Sequence, residues 1–434
     1  MEDAAPFLGK PRFRTPVRNQ MFFDSLDSSI RTDHPVRAVW EVAKALDFAA
    51  FEIPIKAREG NCGRDANPPC LLAALWIYST IKGITSAREL DRLCKESKPF
   101  LWLCGGISVN YHTLSDFRVG HKQALDNLLT QTIAMLVHKG LVDVERISQD
   151  GLRIRAGAGA ASFRRQISLE EALAQAREQV RNVQALLDDP ARSAELSAGE
   201  KAAQERAARE RLERVEEAIV EVKKLQARQE EAKRDLSPKQ IEKLKEPRAS
   251  TTDADARTMK MPDSGFRAAF NAQFAVDTKS RAIVGVEVVN EGVDGRQSEP
   301  MRQQVEQRTG LEVKEHLADG GYTNIENVEA AAADGVEMFC PPKPPRNPEK
   351  NGDEFQPRKG DSPAILAWRE RMGSARGKAI YKERAATSET VNADLRELRG
   401  LDKMRVRGLP KVRCLALWAA LAYQVVHFAP MLIG

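Results

Sequence analysis

The stretch Phe270-Asn-Ala-Gln-Phe-Ala-Val-Asp277, Thr278-Lys-Ser-Arg281, Ala282-Ile-Val-Gly-Val-Glu-Val-Val289 decides the fold class. Two runs rich in Val, Ala and Phe flank a short polar segment, which predicts a β-hairpin. Helical and strand patterns alternate after it, so the sequence predicts an α/β fold with a mixed sheet covered by helices on both faces. Further Val- and Ile-rich runs predict strands over 142–148, 313–318 and 336–340.

The residues before this sheet follow a helical pattern. Apolar residues recur at three- and four-residue spacing from Val36 to Leu46 and from Leu71 to Ile81, which predicts an all-helical domain over 35–140. Ser86-Ala-Arg-Glu89 has the spacing of a capping box and predicts the start of a helix. An arm over 1–34 precedes this domain and carries a basic run, Lys10 to Arg18.

A second helical pattern interrupts the sheet domain. Apolar residues from Leu169 to Leu187 and from Ala208 to Val222 alternate at steps of four and three, and capping-box spacings start at Ser168, Ser197 and Ser237. The pattern predicts an antiparallel helical hairpin inserted over 168–250. The sheet domain then comprises 141–167 and 251–434. The hairpin is either a passive spacer or an interaction arm, and the pattern fits both.

Composition sets broad bounds. A chain of 434 residues is long enough for two or three domains, and its net charge of +5 does not by itself indicate nucleic-acid binding. Basic residues are concentrated in 341–434, where 18 Lys and Arg face 10 Asp and Glu; a solvated surface would have the same pattern. The apolar stretch Leu415 to Pro430 is broken by Gln424 and His427, so we expect no membrane span and a cytoplasmic protein. The irregular cysteine spacing predicts reduced thiols.

Three acidic residues stand in distinctive contexts. Asp150 and Asp319 each follow an apolar run and precede glycine, and Glu389 lies in a helical pattern. Each alone is typical of a turn, a cap or a solvated helix face. If the strands before the two aspartates are parallel neighbours, both carboxylates leave the same sheet edge. Three carboxylates together suit Mg²⁺ or Mn²⁺, and two such ions support phosphoryl transfer.

The helix around Glu389 carries further polar groups. At about 100° per residue, Tyr381, Arg384, Glu389 and Arg396 project within about 140° of one another. One helix face is therefore predicted to carry a phenol, two guanidiniums and a carboxylate. Arginine suits phosphate through its forked donors.

These motifs resemble those of the DDE transposases of bacterial insertion sequences. Asp150-Gly151 resembles the family's first aspartate motif and Ala318-Asp319-Gly-Gly-Tyr322 its second, while Tyr381-x-x-Arg384, Glu389 and Arg396 are similar to its Tyr, Arg, Glu, Lys signature. Two departures stand out. Four residues, rather than three, separate Arg384 from Glu389, and Arg396 replaces the usual Lys. Three motifs of the helical region also resemble the family's amino-terminal domain: Gly63-Arg64-Asp-Ala-Asn-Pro-Pro, Gly83-Ile-Thr-Ser86-Ala-Arg88-Glu-Leu90 and Thr113-Leu-Ser115-Asp116-Phe117-Arg118.

The resemblance implies an RNase H-like catalytic domain that cuts DNA at the ends of a mobile element and joins the 3′ hydroxyls to target DNA. Asp150, Asp319 and Glu389 would hold two Mg²⁺ or Mn²⁺, and Tyr381, Arg384 and Arg396 would grip DNA. The helical domain would bind the terminal inverted repeats, with a homodimer on DNA. From the charge pattern, Lys403, Arg405 and Arg407 are candidate phosphate contacts. A structure-selective nuclease of the same fold and a domesticated DNA-binding or coiled-coil scaffold are the alternatives.

Overall fold

The chain is built around one mixed β-sheet. The structure, a computed structural model, describes residues 25–57, 65–345 and 352–433; the basic run Lys10 to Arg18 lies outside them, as do Gly63 and Arg64. The spatial order of the main strands is β6-β5-β1-β7-β8, with β4 also paired to β5 and a separate ladder of β2 and β3. The strands are β1 Arg146–Arg155, β2 Phe163–Arg164, β3 Ala249–Ser250, β4 Arg257–Lys260, β5 Phe266–Asp277, β6 Ile283–Val289, β7 Glu315–Leu317 and β8 Glu337–Phe339.

Strand directions divide the sheet into two halves. β1, β5 and β6 are antiparallel, which confirms the predicted hairpin, and β7 and β8 run parallel to β1. Side chains alternate along β1, so Ser148 faces Ser388 while Gln149 faces Gln297 on the opposite side. Both faces are therefore covered, as predicted. The strand order and the flanking helices make the fold RNase H-like.

The position predicted for the first strand is wrong. The expected strand over 142–148 begins only at Arg146 and continues through Asp150 and Gly151 to Arg155. Asp150 thus lies within the strand and not at its carboxyl end. The reason is the partner strand, because β5 pairs with β1 along the whole stretch from Ile147 to Arg155. The short strands β2, β3 and β4 carry no apolar run of strand length and were missed by the sequence pattern.

The described residues between 35 and 138 contain helices and no strand. Ser86 accepts a hydrogen bond from the Glu89 amide at 3.4 Å, so the predicted capping at this position is confirmed. The five described cysteines carry free thiols. The helices are Pro35–Ala45, Ala49–Glu52, Pro69–Ile81, Ala87–Glu96, Lys98–Cys104, Tyr111–Gly120 and Lys122–His138.

The last helix, Leu409–Leu432, crosses from the sheet into this helical region. Trp418 Nε1 donates to the Arg118 carbonyl at 3.0 Å, and Gln424 Nε2 donates to the Ile283 carbonyl of β6 at 3.0 Å. Its length and composition alone would allow it to span a membrane, so the interruptions at Gln424 and His427 do not exclude a span, but 78% of its apolar window is buried inside the protein. It therefore serves as a core helix that joins the two regions.

The insertion is a helical hairpin, as predicted. Its two long helices run antiparallel, since Arg177 lies 3.4 Å from Glu216 and Arg211 Nη1 donates to Gln179 at 2.7 Å. Both halves of the capping box are present at Ser197 and at Ser237, whereas the start predicted at Ser168 is wrong, because the helix begins two residues earlier. The β2–β3 ladder closes its base. The helices are Gln166–Asp188, Pro190–Ser193, Ala198–Ala232 and Pro238–Glu242.

Helices that follow the hairpin β5–β6 complete the fold. Between Arg384 and Thr390 the backbone makes a π-helical turn, Ala385–Glu389, within an otherwise α-helical run. The α-helices of this part are Ser298–Thr309, Ile325–Ala333, Pro363–Gly373, Ala375–Arg384 and Thr390–Glu397.

Candidate active site

Asp150 and Asp319 lie side by side at the point where parallel pairing ends. The last paired residues of β1 and β7 are Ser148 and Leu317, and each aspartate is two residues further on. β1 continues past this point but β7 does not, so the Asp150 carboxylate is left beside an open sheet edge. The parallel register of β1 and β7 thus brings the two aspartates close together, as predicted, although Asp150 lies within its strand and not at its end.

Arg384 lies between the first and third acidic residues. Its Nη1 is 3.6 Å from Asp150 Oδ2 and its Nη2 donates to Glu389 Oε1 at 2.5 Å. The Arg384 guanidinium carbon also lies 5.9 Å from the centre of the Tyr381 ring. Arg384 thus links Asp150 of β1 to Tyr381 and Glu389 of one helical run.

The electrostatics of this site favour a cation. Burial raises the pKa of Asp150, Arg384 opposes the rise and the nearby charges of Asp319 and Asp294 add to it, so that the pKa is about 6. Burial alone would lower the pKa of Arg384, but Asp150, Tyr381 and Glu389 raise it above its usual value. In this arrangement Arg384 supplies the positive charge that the clustered carboxylates require.

The π-helical turn explains the unusual spacing of Arg384 and Glu389. A π-helix bonds residue i to i+5, so one such turn absorbs a single extra residue without breaking the helix. Glu389 follows Arg384 by five residues, and their side chains still meet at 2.5 Å. The angular spread predicted for a continuous α-helix is therefore wrong for this pair. The fourth intervening residue is accommodated in the backbone, and the Arg–Glu contact is kept.

A buried hydroxyl pair fastens this turn to β1. Ser148 Oγ and Ser388 Oγ are 2.7 Å apart and both residues are fully buried. Ser148 is two residues before Asp150 and Ser388 directly precedes Glu389, so the bond fixes two acidic segments relative to each other. Arg146 contributes a second link, with its guanidinium 2.5 Å from Glu315 and 2.7 Å from Glu383.

Ser388→Ala is expected to destabilise the protein by about 1–3 kcal/mol, because it leaves the Ser148 hydroxyl buried without a partner. Ser148→Ala should cost less, since Ser388 Oγ can still donate to the Arg384 carbonyl at 3.3 Å. The double variant should be more stable than the sum of the two single effects predicts. Urea unfolding of the four proteins without metal measures this coupling; strictly additive effects would contradict it.

Asp294 is a further acidic residue, beside the Asp319 loop and on the face of β1 opposite the Asp150 side chain, and it was not predicted from the sequence. Its carboxylate accepts hydrogen bonds from Asn271 at 2.7 Å and Gln273 at 2.8 Å and pairs with Arg153 at 2.8 Å. A methyl group on Gly151 would lie 2.7 Å from Asp294 Oδ1, so only glycine fits at that position. The signal available in the sequence was polar residues within the β5 run, Asn271 and Gln273, which a wholly apolar strand would not contain.

These amides form a buried polar layer on the face of β1 opposite Asp150. Gln149 Nε2 donates to Gln273 Oε1 at 2.9 Å, and the Tyr322 hydroxyl donates to the same oxygen. Tyr322 belongs to the motif that carries Asp319, whose own Oδ1 accepts from the Gly321 amide at 2.7 Å. The layer thereby holds the Asp319 loop against β1 and β5.

The remaining predicted DNA contacts do not touch the acidic residues. Arg396 is partly exposed on the helix Thr390–Glu397 and has no ion pair with any residue that the structure describes. Lys403, Arg405 and Arg407 are exposed on the segment before the last helix. Their role as DNA contacts stays a prediction.

The donor atoms of this site are those that a hard divalent cation prefers. Oxygen-only carboxylate donors suit Mg²⁺ or Mn²⁺, and a bound cation would offset the effect of burial, which raises the pKa of Asp150. Among residues 25–57, 65–345 and 352–433, no three acidic, His or Cys side chains stand close enough to form a finished metal centre. The donor chemistry fits a metal ion, provided that Glu389 turns from Arg384 towards the aspartates.

Two family models match the chain. The transposase DDE domain model matches residues 246–425, and a transposase domain model matches residues 24–120. Asp319 and Glu389 lie within the first match, whereas Asp150 lies outside both. No curated protein and no solved structure matches. With this fold and these motifs, the chain belongs to the DDE transposases of insertion-sequence type. It is a DNA-binding enzyme family of the polynucleotidyl transferase type.

Proposed function

We propose that this transposase cuts DNA at the ends of its element and joins the freed 3′ hydroxyls to target DNA in the presence of Mg²⁺. The observation that supports this most directly is the contact of Arg384 with both Asp150 and Glu389, next to the point where β7 leads into Asp319. Asp150, Asp319 and Glu389 would hold two divalent ions, which supply Lewis-acid stabilisation of the oxygens at the reacting phosphate. Mn²⁺ would serve equally well as a hard cation.

The chain's own residues would orient the DNA. Arg384 is placed to exchange its contact with Glu389 for a phosphate oxygen, because a guanidinium pairs with either anion through the same forked donors. Tyr381 offers its ring beside that guanidinium, and Arg396 and the segment Lys403 to Arg407 would neutralise phosphates further along the strand. The helical domain would bind the terminal inverted repeats.

Since two element ends must be cut in concert, we propose a homodimer on DNA, acting in the cytoplasm. The domain limits 1–34, 35–140, 141–167 with 251–434, and 168–250 are part of the same proposal. They assign end binding to the helical domain and the chemistry to the sheet domain.

A strand-joining assay tests the reaction. Labelled duplexes that carry the inverted repeats flanking the gene are incubated with target plasmid, Mg²⁺ and either wild type or Asp319→Asn. We expect joined product with wild type and none with Asp319→Asn, which should retain DNA binding. Hydrolysis without joining would favour the structure-selective nuclease. Equal activity of both proteins would exclude this site, and DNA binding with no reaction by either protein would favour the scaffold.

A further inference from the structure

The helical region and the segment after the Glu389 helix meet at a tight seam. Arg399 is buried there, pairs with Asp394 at 2.8 Å and donates through Nη1 to the Ile81 carbonyl at 2.9 Å. Gly400 adopts a φ of +78°, and a methyl group at this position would lie 2.5 Å from Thr85 Cγ2. The backbone of residues 398–400 is therefore held directly against the loop over 83–86.

A groove of about 590 Å³ opens along this seam. We call it the seam groove; it is lined by residues 83–86, Arg88, Glu89, Arg92 and Arg405. Its one lining carboxylate, Glu89, is paired with Arg92 at 2.6 Å. Neither Arg88 nor Arg405 has an ion pair with any residue in the described part of the chain, so both leave their charges open to an external anion.

A further arginine, Arg118, which pairs with no described carboxylate, lies directly behind the groove. Arg118 donates through Nη1 to the Thr85 carbonyl at 2.5 Å and its guanidinium carbon is 4.5 Å from the centre of the Trp76 ring. The Arg118 Nε is buried without a hydrogen-bond partner in the described residues, and none of their carboxylates pairs with this side chain. Burial, and then the charge of Arg405, lowers the pKa of Arg118 to about 10. Two cations have thus been brought together without a neutralising acid.

The position of Arg405 is set by the sheet. Arg155, the last residue of β1, donates its amide to the Asp402 carbonyl at 2.9 Å and accepts from the Met404 amide at 2.8 Å. Residues 402–404 therefore extend the sheet beside the strand that carries Asp150. Arg88 is placed from the other side by stacking 5.3 Å from the centre of the Tyr111 ring. The two exposed guanidiniums are held by two different domains on one groove.

Phosphate is the anion that this groove fits best. The amino-terminal end of the helix Ala87–Glu96 opens into the groove, where its backbone dipole favours negative charge. Arg88 and Arg405 add forked donors, and the unpartnered charge of Arg118 lies behind them. The groove is open to solvent. Its residue Arg405 lies on the segment that comes after the helix Thr390–Glu397, which begins directly after Glu389. A phosphodiester of a continuous DNA strand therefore has access to it.

We propose that the seam groove binds a backbone phosphate of the DNA whose cleavage site lies at Asp150, Asp319 and Glu389. The inference rests on the proposed function and adds a second phosphate site, shared by the helical and sheet domains. Binding of one phosphate by Arg88 and Arg405 would keep the two domains in register while the DNA is cut.

The test uses the full chain and a short DNA duplex in EDTA, so that no cleavage is needed. Arg405→Gln and Arg88→Gln are each expected to weaken binding about tenfold, as removal of a charge-assisted phosphate contact does. The double variant should bind about as weakly as either single variant, because both arginines serve one phosphate. Arg206→Gln, at an exposed position of the inserted hairpin outside the groove, is the matched control and should leave DNA affinity unchanged.

Each other outcome identifies a different explanation. Equal losses for Arg405→Gln and Arg206→Gln would overturn the site in favour of a diffuse basic surface, and additive losses for Arg88 and Arg405 would overturn the shared phosphate. Thermal stabilisation of wild type by inorganic phosphate as strong as that by DNA, lost in Arg405→Gln, would show a small-anion site instead.

This test can fail independently of the proposed function. Wild type that joins ends, with unchanged DNA affinity in Arg405→Gln, overturns only the seam groove. Loss of affinity in Arg405→Gln, in a protein that never joins ends, overturns only the reaction. A wild type that binds no DNA overturns both.

Discussion

Asp150→Asn is expected to abolish DNA cleavage and yet to stabilise the protein in the absence of metal. Removal of a carboxylate that is proposed to hold the divalent ions at the reacting phosphate should lower the cleavage rate by on the order of a thousandfold or more. The ionised carboxylate also destabilises the metal-free fold, because burial, as the largest cause, raises its pKa from 3.8 to about 6. At 1.36 kcal/mol per pKa unit, the ionised group destabilises the fold by up to about 3 kcal/mol.

The pH range of this effect follows from the direction of the shift. The stability associated with a raised carboxyl pKa is fully present below the unfolded value of 3.8 and is lost as the pH rises through about 6. Asparagine does not ionise, so its advantage should grow as the pH rises from 3.8 to about 6, be complete above pH 6 and vanish below pH 3.8. The variant loses the attraction between Asp150 and Arg384, but Arg384 keeps its ion pair with Glu389, so this loss of stability should be small.

Thermal unfolding at pH 5 and pH 8, with EDTA or Mg²⁺, measures both the pH-dependent gain in stability and the loss of Mg²⁺ binding. Mg²⁺ should stabilise wild type and have little effect on Asp150→Asn. Asp235→Asn, an exposed position in the inserted hairpin, controls for the loss of one charge. An asparagine variant that is less stable than wild type at pH 8 in EDTA would contradict the electrostatic explanation.

His316 is expected to make the protein acid-sensitive. The side chain is fully buried in β7 and neither ring nitrogen has a hydrogen-bond partner among the described residues. Burial, together with the nearby charge of Arg302, lowers its pKa from 6.5 to about 3. A histidine that must stay neutral contributes its full stability above the unfolded pKa, and this stability is lost as the pH falls from 6.5 towards 3. The loss amounts to about 1.4 kcal/mol per pH unit and up to about 5 kcal/mol in total.

His316→Leu removes the titrating group and fills a similar volume. We expect its stability to be close to that of wild type at pH 7.5, and about 2 kcal/mol higher than wild type at pH 5, because only wild type loses His316 stability in that interval. Urea unfolding at pH 7.5, 6 and 5 provides the comparison, with His138→Gln at an exposed position as the control. Parallel pH profiles for wild type and His316→Leu would show that other groups cause the acid loss.

The site illustrates what local pattern can reach. The hairpin β5–β6 was predicted because its two runs and its polar turn are contiguous in sequence. The proximity of Asp150 and Asp319 was predicted from two apolar runs, each followed by aspartate and glycine. The position of Asp150 within β1 was not predicted, because the length of β1 depends on β5, which lies more than a hundred residues away along the chain.

Other elements of the site had no local signal at all. Asp294 lies in a loop, and its importance comes from Gly151, Asn271 and Gln273, which approach it from two strands. The bond between Ser148 and Ser388 joins residues that look unremarkable in sequence. The seam groove likewise combines arginines from the helical region and from the segment before the last helix.

The amino-acid sequence by itself determined the fold class, the inserted hairpin and the three acidic residues, because these are carried by periodicity, capping and motifs within short windows. Only the tertiary structure decided that Asp150 lies within its strand, that a π-helical turn brings Glu389 back to Arg384, and that Asp294 lies beside the Asp319 loop. Those features depend on strand register and on contacts between segments that are distant in sequence, and such contacts form only in the folded chain.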